Sequence, residues 1–275
     1  MKLRTDLHIA SETDKGVVRN FNEDSIAVNR ELGLIVLADG MGGYKAGEVA
    51  SNMATNLIVD ELQSKLGNGS GRGSLLYAEP QKLIREALEK TNKLIFRLAN
   101  QEETYHGMGT TLVLMQFYDS RATIAHVGDS RLYRWRQGYF ELLTRDHSLL
   151  QEQVALGMIS FTDARYSHNR NLVTRALGTG AEVDMDIREI DVQPGDLYLL
   201  CSDGLNDMVD DFNIELAMNE LQGNLPLMAR QLVLMANDNG GHDNVSVIVA
   251  QVPLAPSSGG GLKTTFFNWL KRLWS

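Results

Sequence analysis

The chain has 275 residues, 43% of them hydrophobic, and carries a formal net charge of −9 at pH 7. It can therefore bury a substantial core, and the absence of a basic patch outside its C-terminal tail argues against a nucleic-acid-binding protein. The single cysteine, the lack of an apolar signal-peptide core, and the absence of any stretch approaching the roughly 18 apolar residues of a membrane span predict a cytoplasmic globular protein.

The N-terminal part of the chain predicts two strands followed by two helices. Residues 24–30 and 33–38 have strand character. Helical periodicity runs from 46 to about 66, and a second amphipathic helix begins near Pro80, a residue suited to a first helical turn. The glycines of the loop 67–74 match neither a dinucleotide-binding nor a Walker spacing, so we reject a nucleotide site there.

The rest of the chain is rich in predicted strands. Turns too short for helical crossovers imply antiparallel pairing, and they separate strands at 110–117, 121–127, 131–136 and 139–143. A short helix and an irregular segment are expected within 148–180, and helices within 211–237. Further strands are predicted at 185–192, 197–201 and 245–252. The order predicts one α+β domain over residues 1–252, with helices packed outside antiparallel sheets.

A linker and a short tail follow this domain. Residues 253–261 read PLAPSSGGG, which is typical of a linker, and residues 262–275 form an amphipathic tail. Its apolar residues recur at helical spacing, at Phe266, Phe267, Leu270, Leu273 and Trp274. Basic side chains accompany them at Lys263, Lys271 and Arg272. The tail is too short to span a bilayer, and it either docks on its own domain or contacts a membrane surface or a partner protein.

Four aspartates lie beside glycines at the ends of predicted strands. Asp39 and Asp203 each end an apolar run and precede a glycine, in LIVLADGMGG and LYLLCSDGL. Asp243 comes just before the strand 245–252, and Asp129 follows Gly128 in a tight link between two strands. Scaffolds present functional groups at strand ends and in the loops after them. A shared functional site is therefore predicted, with ordinary Asp-Gly turns as the alternative.

The residue types in this acidic set indicate which metal ions it can bind. The six histidines and one cysteine form no ligand-spaced cluster in the sequence, which argues against zinc, whereas carboxylates and carbonyls suit magnesium or manganese. Gly40 has no Cβ, so its carbonyl can approach an ion beside Asp39. Converging carboxylates repel one another unless cations neutralise them. Two ions about 3.5–4 Å apart commonly hydrolyse phosphate esters by attack of a bridging water.

Seven short motifs, in order, carry a family resemblance. They are TDKGVVRNFNEDS (13–25), ADGMGGYKAGEVAS (38–51), GMGTT (107–111), VGDSRLY (127–133), NLVTRALG (171–178), CSDGLND (201–207) and HDNVSV (242–247). Together they resemble the bacterial metal-dependent serine/threonine protein phosphatases of type 2C, over about residues 5–252. The resemblance implies a central antiparallel β-sandwich flanked by helices on both faces, an α-β-β-α arrangement.

The resemblance also implies a ligand set for two metal ions. Asp39 resembles the carboxylate that bridges both ions, and Gly40 resembles the backbone-carbonyl ligand. Asp203 and Asp243 are similar to the remaining ligands of one ion. Glu23 matches the acid that holds the other ion through water. Two core ions, Mn²⁺ or Mg²⁺, are the cofactors that this pattern implies.

Three more positions bear on catalysis through the resemblance. Arg19 is similar to the arginine that binds the substrate phosphate, a role that suits a guanidinium fork. Asp129 matches a ligand of a third, weaker ion that shares Asp203. Many relatives have histidine where this chain has Tyr44, whose phenol has an ordinary pKa near 10 and is not poised near neutrality. The acid that protonates the leaving group therefore stays open between Tyr44 and water. Turn and supporting hydrogen-bond roles are expected for Asp24, Ser130 and Asn244.

The implied activity is removal of phosphate from phosphoserine and phosphothreonine of proteins, opposing a bacterial serine/threonine kinase, by a monomeric enzyme. The alternatives are a catalytically silent regulatory module of the same fold and a metal-dependent phosphomonoesterase acting on small molecules. Two other phosphatase chemistries are set aside. Cys201 lacks the arginine that a cysteine nucleophile requires five residues beyond it, and the Asp184–Asp186 pair lies in a segment that alternates like a half-exposed strand.

Overall fold

The computed structural model describes residues 2–43, 45–66, 79–159 and 172–254. Tyr44, the glycine-rich loop, part of the irregular segment predicted within 148–180, and the C-terminal tail with most of its linker lie outside these residues. None of the helices in the described ranges is both long and apolar enough to cross a bilayer.

Eleven strands are present in the described part of the chain, and the strands paired in its sheets are all antiparallel. In chain order they are β1 (His8–Asp14), β2 (Asp24–Asn29), β3 (Leu34–Met41), β4 (Gly109–Thr110), β5 (Leu112–Tyr118), β6 (Arg121–Val127), β7 (Arg131–Arg136), β8 (Tyr139–Leu142), β9 (Asp186–Asp191), β10 (Leu197–Cys201) and β11 (Val245–Gln251). One sheet has the order β2-β3-β5-β6-β9, with β4 paired to β3, and the other has the order β1-β11-β10-β7-β8.

The described part of the chain has six α-helices, and all of them except the short third one pack on the two outer faces of the sheets. They are α1 (Ala46–Leu66), α2 (Pro80–Gln101), α3 (Leu149–Ala155), α4 (Asp203–Asn206), α5 (Asp211–Leu221) and α6 (Leu225–Asp238). Side-chain caps fix the starts of the later helices, since Asp210 accepts from the amide of Asn213 at 2.9 Å and Asn224 accepts from that of Leu227 at 3.2 Å. Pro80 occupies the first turn of α2, as the sequence predicts.

Strands buried on both faces organise the layers. In β3, Leu34 and Val36 pack against α1 and α2, whereas Ile35 and Leu37 point into the space between the sheets. The strand β10 divides in the same way between the inter-sheet core and a third core under α5 and α6. This is the predicted α-β-β-α arrangement, and it explains why these strands are continuous apolar runs in the sequence rather than alternating ones.

Three elements differ from the sequence expectation. The sequence does not predict β1, which has little apolar alternation and forms because its full length pairs with β11 at the edge of the sheet, from His8↔Gln251 to Asp14↔Val245. The strand β3 runs on to Met41, past the predicted end, because β4 pairs with it through Gly40↔Thr110. The third difference is the single turn α4, which the sequence does not predict and which begins directly at Asp203.

Candidate metal centre

The strand ends that carry the acids meet at one edge of the sandwich. Asp39 lies on β3 opposite Asp24 on β2, in the first sheet. Asp203 follows β10 and Asp243 precedes β11, both in the second sheet. Burial and then the charges of neighbouring acids raise the pKa of Asp39 well above its ordinary value. The neighbours responsible are Asp24, Asp203, Asp129 and Asp243. The structure therefore brings the four predicted aspartates together.

The backbone around Asp39 is held at several points. Its amide donates to the Thr111 hydroxyl at 3.1 Å, and its carbonyl accepts from the Thr110 hydroxyl at 2.9 Å and from the Thr111 amide at 2.8 Å. Because Thr110 on β4 and Thr111 between β4 and β5 hold both backbone groups of Asp39, its position is fixed by the sheet. Asp39 and Gly40 thus lie within a paired strand and not in the loop after it, which corrects the sequence expectation.

Two glycines let the start of α1 approach this strand. A Cβ on Gly40 would lie 2.1 Å from the carbonyl oxygen of Gly47, and a Cβ on Gly47 would lie 2.7 Å from Oε1 of Glu23. Any larger residue at either place would push α1 away from Glu23 and from the Gly40 carbonyl. The close approach that the sequence predicts at Gly40 is therefore present, and Gly47 is its counterpart on the helix.

Asp203 and Asp129 both act on the charge of Asp39. Burial raises the pKa of Asp203 well above its ordinary value, and the charges of Asp129, Asp207 and Asp243 add to this effect. Burial, followed by the charges of Asp146 and Asp207, raises the pKa of Asp129 to about 7. Sequence reasoning missed Asp207, although its position four residues after Asp203 in DGLND was the available signal.

The next two acids, Glu23 and Asp24, are adjacent in sequence but differ in their surroundings. Burial raises the pKa of Glu23, and the charge of Arg19 opposes this shift. Asp24 is only 8% exposed and accepts from the Ser202 hydroxyl at 2.8 Å, and burial raises its pKa to about 6. Asp24 thus lies opposite Asp39 and belongs to the acidic cluster itself. The sequence predicts only a turn or supporting hydrogen-bond role for it.

Asn244 and Ser130 have the supporting hydrogen bonds that the sequence predicts. The Asn244 side chain accepts from the Glu23 amide and donates to the carbonyls of Lys15 and Phe21, at 2.8–2.9 Å. The hydroxyl groups of Ser130 and Thr111 lie 2.7 Å apart. These bonds fix the loops that present Glu23 and Asp129.

Arg19 lies at the solvent rim of the acidic cluster. Its Nη2 donates to Oδ2 of Asp243 at 2.7 Å, and its side chain is 52% exposed. The hydrogen bond to Asp243 raises the pKa of Arg19, as do the charges of Glu23 and Asp203. The guanidinium is therefore fixed at one end by an acid of the cluster while much of it remains accessible to an anion from solvent.

The described residues fit divalent cations. Three buried oxygens of the cluster have no hydrogen-bond partner within the described ranges: Oε1 of Glu23, Oδ1 of Asp24 and Oδ1 of Asp203. Buried carboxylates that raise one another's pKa need compensating positive charge in order to ionise. The donor set consists of carboxylates and a glycine carbonyl, which matches the preference of magnesium and manganese for oxygen ligands. The assignment of individual ligands stays a prediction.

A second cluster of side chains combines His126, His147 and Asp186, which lie in three separate segments of the chain. The imidazole rings stack with centroids 4.6 Å apart. The Gly128 amide donates to Nδ1 of His147, and Nε2 of His147 lies 3.4 Å from both Oδ2 of Asp186 and Nη1 of Arg175. Nε2 of His126 donates to the Arg145 carbonyl at 2.9 Å. Both imidazoles bond to the backbone, so this cluster is a hydrogen-bond network that supports the Gly128 turn.

An α-β-β-α fold with a cluster of acids at one edge of its sheets defines a class of metal-dependent phosphatases. Comparison with known proteins places this chain in the same class. The family model described as Protein phosphatase 2C matches residues 17–239. This chain belongs to the protein phosphatase 2C family, as its motif order predicts.

Individual relatives are similar over nearly the whole chain. The serine/threonine phosphatase stp of Listeria monocytogenes is 36% identical over 249 residues, which cover 89% of this chain and 96% of that protein. The crystal structure of serine/threonine phosphatase Stp1 from Staphylococcus aureus superposes with a TM-score of 0.81 at 34% identity, covering 92% of this chain and 97% of that one. The catalytic domain of the serine/threonine protein phosphatase PstP, in complex with two manganese ions, gives a TM-score of 0.76 at 36% identity, covering 90% of this chain and 98% of that one.

The raised pKa values predict how stability depends on pH. The folded pKa of Asp24 is about 6 and that of Asp129 about 7, above the unfolded value of roughly 4. Their contribution to the stability of the metal-free protein is complete below the unfolded pKa and is lost as the pH rises through the folded pKa. The melting temperature of EDTA-treated protein should therefore fall between about pH 4 and pH 7, and added Mn²⁺ should raise it more at the higher pH.

Differential scanning calorimetry of the treated protein, with and without Mn²⁺, checks this expectation. The Asp60→Asn variant changes an exposed aspartate on α1 and is the control, since it should retain the full pH dependence. A melting temperature that rises over this pH interval in the metal-free protein would contradict the predicted direction of the change.

Proposed function

We propose that this protein hydrolyses phosphoserine and phosphothreonine phosphomonoesters on proteins, using two Mn²⁺ or Mg²⁺ ions. The observation that carries the proposal is the meeting of Asp39, Asp203 and Asp243 in one partly buried acidic cluster, with a half-exposed Arg19 at its rim. The names of the relatives as serine/threonine phosphatases, and the manganese ions of PstP, support it.

Each acid has a proposed place around the ions. Asp39 would bridge both, since the charges of four other acids act on it and its backbone is fixed. Asp203 and Asp243 would be the remaining protein ligands of one ion. The Gly40 carbonyl and Glu23, which approach each other at the start of α1, would hold the second, Glu23 through water. Both oxygen sets suit hard divalent ions.

A third, weaker ion would be shared by Asp129 and Asp203. The two charges already act on each other, since Asp129 contributes to the raised pKa of Asp203. Asp129 is only 8% exposed and lies in the Gly128 turn that His147 holds. This site would therefore be preformed on its Asp129 side.

The reaction needs a nucleophile, a phosphate clamp and a proton for the leaving oxygen. The ions, when bound, supply an acidified water as the nucleophile and neutralise the acidic cluster, which would otherwise repel phosphate. Arg19 binds the phosphoryl oxygens through its accessible N–H groups and stabilises the charge that develops on them. The hydrogen bond to Asp243 holds the guanidinium in register with the acids while it does so.

The wider role follows from the composition and the relatives. We infer a catalytic domain over residues 1–252, which includes the matched residues 17–239. We infer a monomer that acts in the cytoplasm and opposes a serine/threonine kinase, and the single, buried cysteine suits a reducing compartment. The silent-module alternative requires loss of metal acids, whereas every acid of the predicted ligand set is retained.

The decisive test is phosphate release from a phosphothreonine peptide by EDTA-treated protein titrated with Mn²⁺. The Asp39→Asn variant should lose at least about a thousandfold in turnover, because the proposed bridging charge is gone. The Asp60→Asn variant should match the wild type. Wild-type protein that folds and binds Mn²⁺ but releases no phosphate would favour the regulatory module, and faster turnover of sugar phosphates than of peptides would favour the small-molecule enzyme.

A second experiment addresses the proton donor. If water protonates the leaving alkoxide, the Tyr44→Phe variant should lose less than about tenfold in kcat. A phenol that donates directly would instead make the loss about a thousandfold. Steady-state kinetics on the same phosphothreonine peptide, with the pH profile of kcat as a second readout, distinguishes the two donors.

The tail 262–275 is proposed to contact a membrane surface or a partner protein through the linker 253–261. A chain that ends at Leu254 should keep peptide turnover within about twofold, and it should bind vesicles containing anionic lipid more weakly, because three basic side chains are removed. Cosedimentation with such vesicles measures this effect. An insoluble truncated chain would mean instead that the tail packs on its own domain.

A further inference from the structure

The segment between β1 and β2 exposes apolar side chains beside the metal centre. Val17, Val18 and Phe21 are 66%, 58% and 56% exposed, and Arg19 lies between them in sequence. Single exposed apolar side chains are ordinary on protein surfaces, but contiguous ones mark interaction sites. We call these three residues the apolar rim.

Backbone hydrogen bonds hold this segment in place. The Gly241 carbonyl accepts from the amides of Val17 and Val18, at 2.8 and 3.1 Å. The Asn244 side chain holds the carbonyl of Phe21 at 2.8 Å. Gly16, with φ of +77°, packs so closely that a Cβ there would lie 2.2 Å from the carbonyl oxygen of Asp243. The apolar rim is therefore presented on a fixed backbone, and binding to it costs little ordering entropy.

The Phe21 ring is also oriented. The ammonium group of Lys45 lies 5.5 Å from its centroid, over the ring face, in a cation–π contact. Lys45 belongs to a separate segment, the connection between β3 and α1. A fixed aromatic side chain with a large exposed area is the kind of residue that contributes most to recognition at protein interfaces.

Arg19 determines what can reach the apolar rim. A phosphate held by Arg19 places the phosphorylated residue at the rim of the acidic cluster, next to Val18. Consecutive Cα atoms are only about 3.8 Å apart, so the neighbouring residues of a bound substrate must pass within reach of the apolar rim. A small phosphate ester would not extend this far.

We propose that the apolar rim is a specificity site that binds apolar side chains flanking the phosphoserine or phosphothreonine of a polypeptide substrate. The inference rests on the proposed function, since it requires phosphate at Arg19. Val17, Val18 and Phe21 make no part of the metal centre. They favour substrates with apolar residues within about two positions of the phosphorylated residue, through burial of apolar surface.

The test compares phosphothreonine peptides that carry leucine or glycine at the two positions on each side of the phosphorylated residue. Wild-type protein should show a kcat/KM about tenfold higher for the leucine peptides, expressed mainly in KM. In Val18→Ser and Phe21→Ser this ratio should fall towards one. Phe212→Ser is the matched control, because Phe212 is 71% exposed on α5, outside the segment that carries Arg19, and its ratio should stay at the wild-type value.

Three outcomes would overturn the proposal. Wild-type protein that hydrolyses both peptides equally would remove the specificity role while leaving the proposed function intact. Variants that lose both activities by the same factor would show that the apolar rim only supports Arg19. Variants that change the oligomeric state in analytical ultracentrifugation, with the ratio retained, would assign the surface to a second copy of this chain. Absence of activity on every peptide would count against the proposed function itself.

Discussion

The structure depends on keeping several like charges together in a buried place. Burial is the main cause of the raised pKa of both Asp39 and Asp203, and the charges of neighbouring acids add to it. Such a cluster is unfavourable by itself, because desolvation and mutual repulsion both disfavour the ionised forms. The two sheets pack against three apolar cores, and this packing fixes the strand ends. It supplies the stability that holds the acids in position. Divalent ions would convert the repulsion into a binding site.

Close backbone approach is the second requirement, and glycine meets it at three places around the acids. A Cβ on Gly40 or Gly47 would collide across the contact between β3 and the start of α1, and a Cβ on Gly204 would lie 2.0 Å from the Asn244 carbonyl oxygen. The glycines after Asp39 and Asp203 thus let a helix and a neighbouring strand pack directly against each acid. This close packing leaves little room for the acids to move apart and relieve their repulsion.

Asn244 connects the proposed metal centre to the proposed substrate-binding surface. One side chain fixes the Glu23 amide in the metal centre and the Phe21 carbonyl in the apolar rim. Arg19 adds a second link, because it bonds to Asp243 and lies within the segment that carries the apolar rim. The proposed substrate contacts and the proposed metal ligands therefore share one support. His147 has a comparable role at the Gly128 turn, where it bonds to both backbone groups of Gly128.

The sequence by itself determined the elements with strong periodicity and the residue types of the site. Continuous apolar runs predict β3, β10 and β11 because both faces of these strands are buried, and the acid-glycine pairs beside them locate the candidate ligands. Tertiary structure decided what depends on partners distant in sequence. The strand β1 exists through its pairing with β11, Asp24 enters the cluster because β2 places it opposite Asp39, and the histidine network joins residues from three separate segments. Local sequence carries no signal for the β1 pairing or the histidine network, because these contacts join segments that are remote in the chain, and the place of Asp24 depends on the register of the β2–β3 pair.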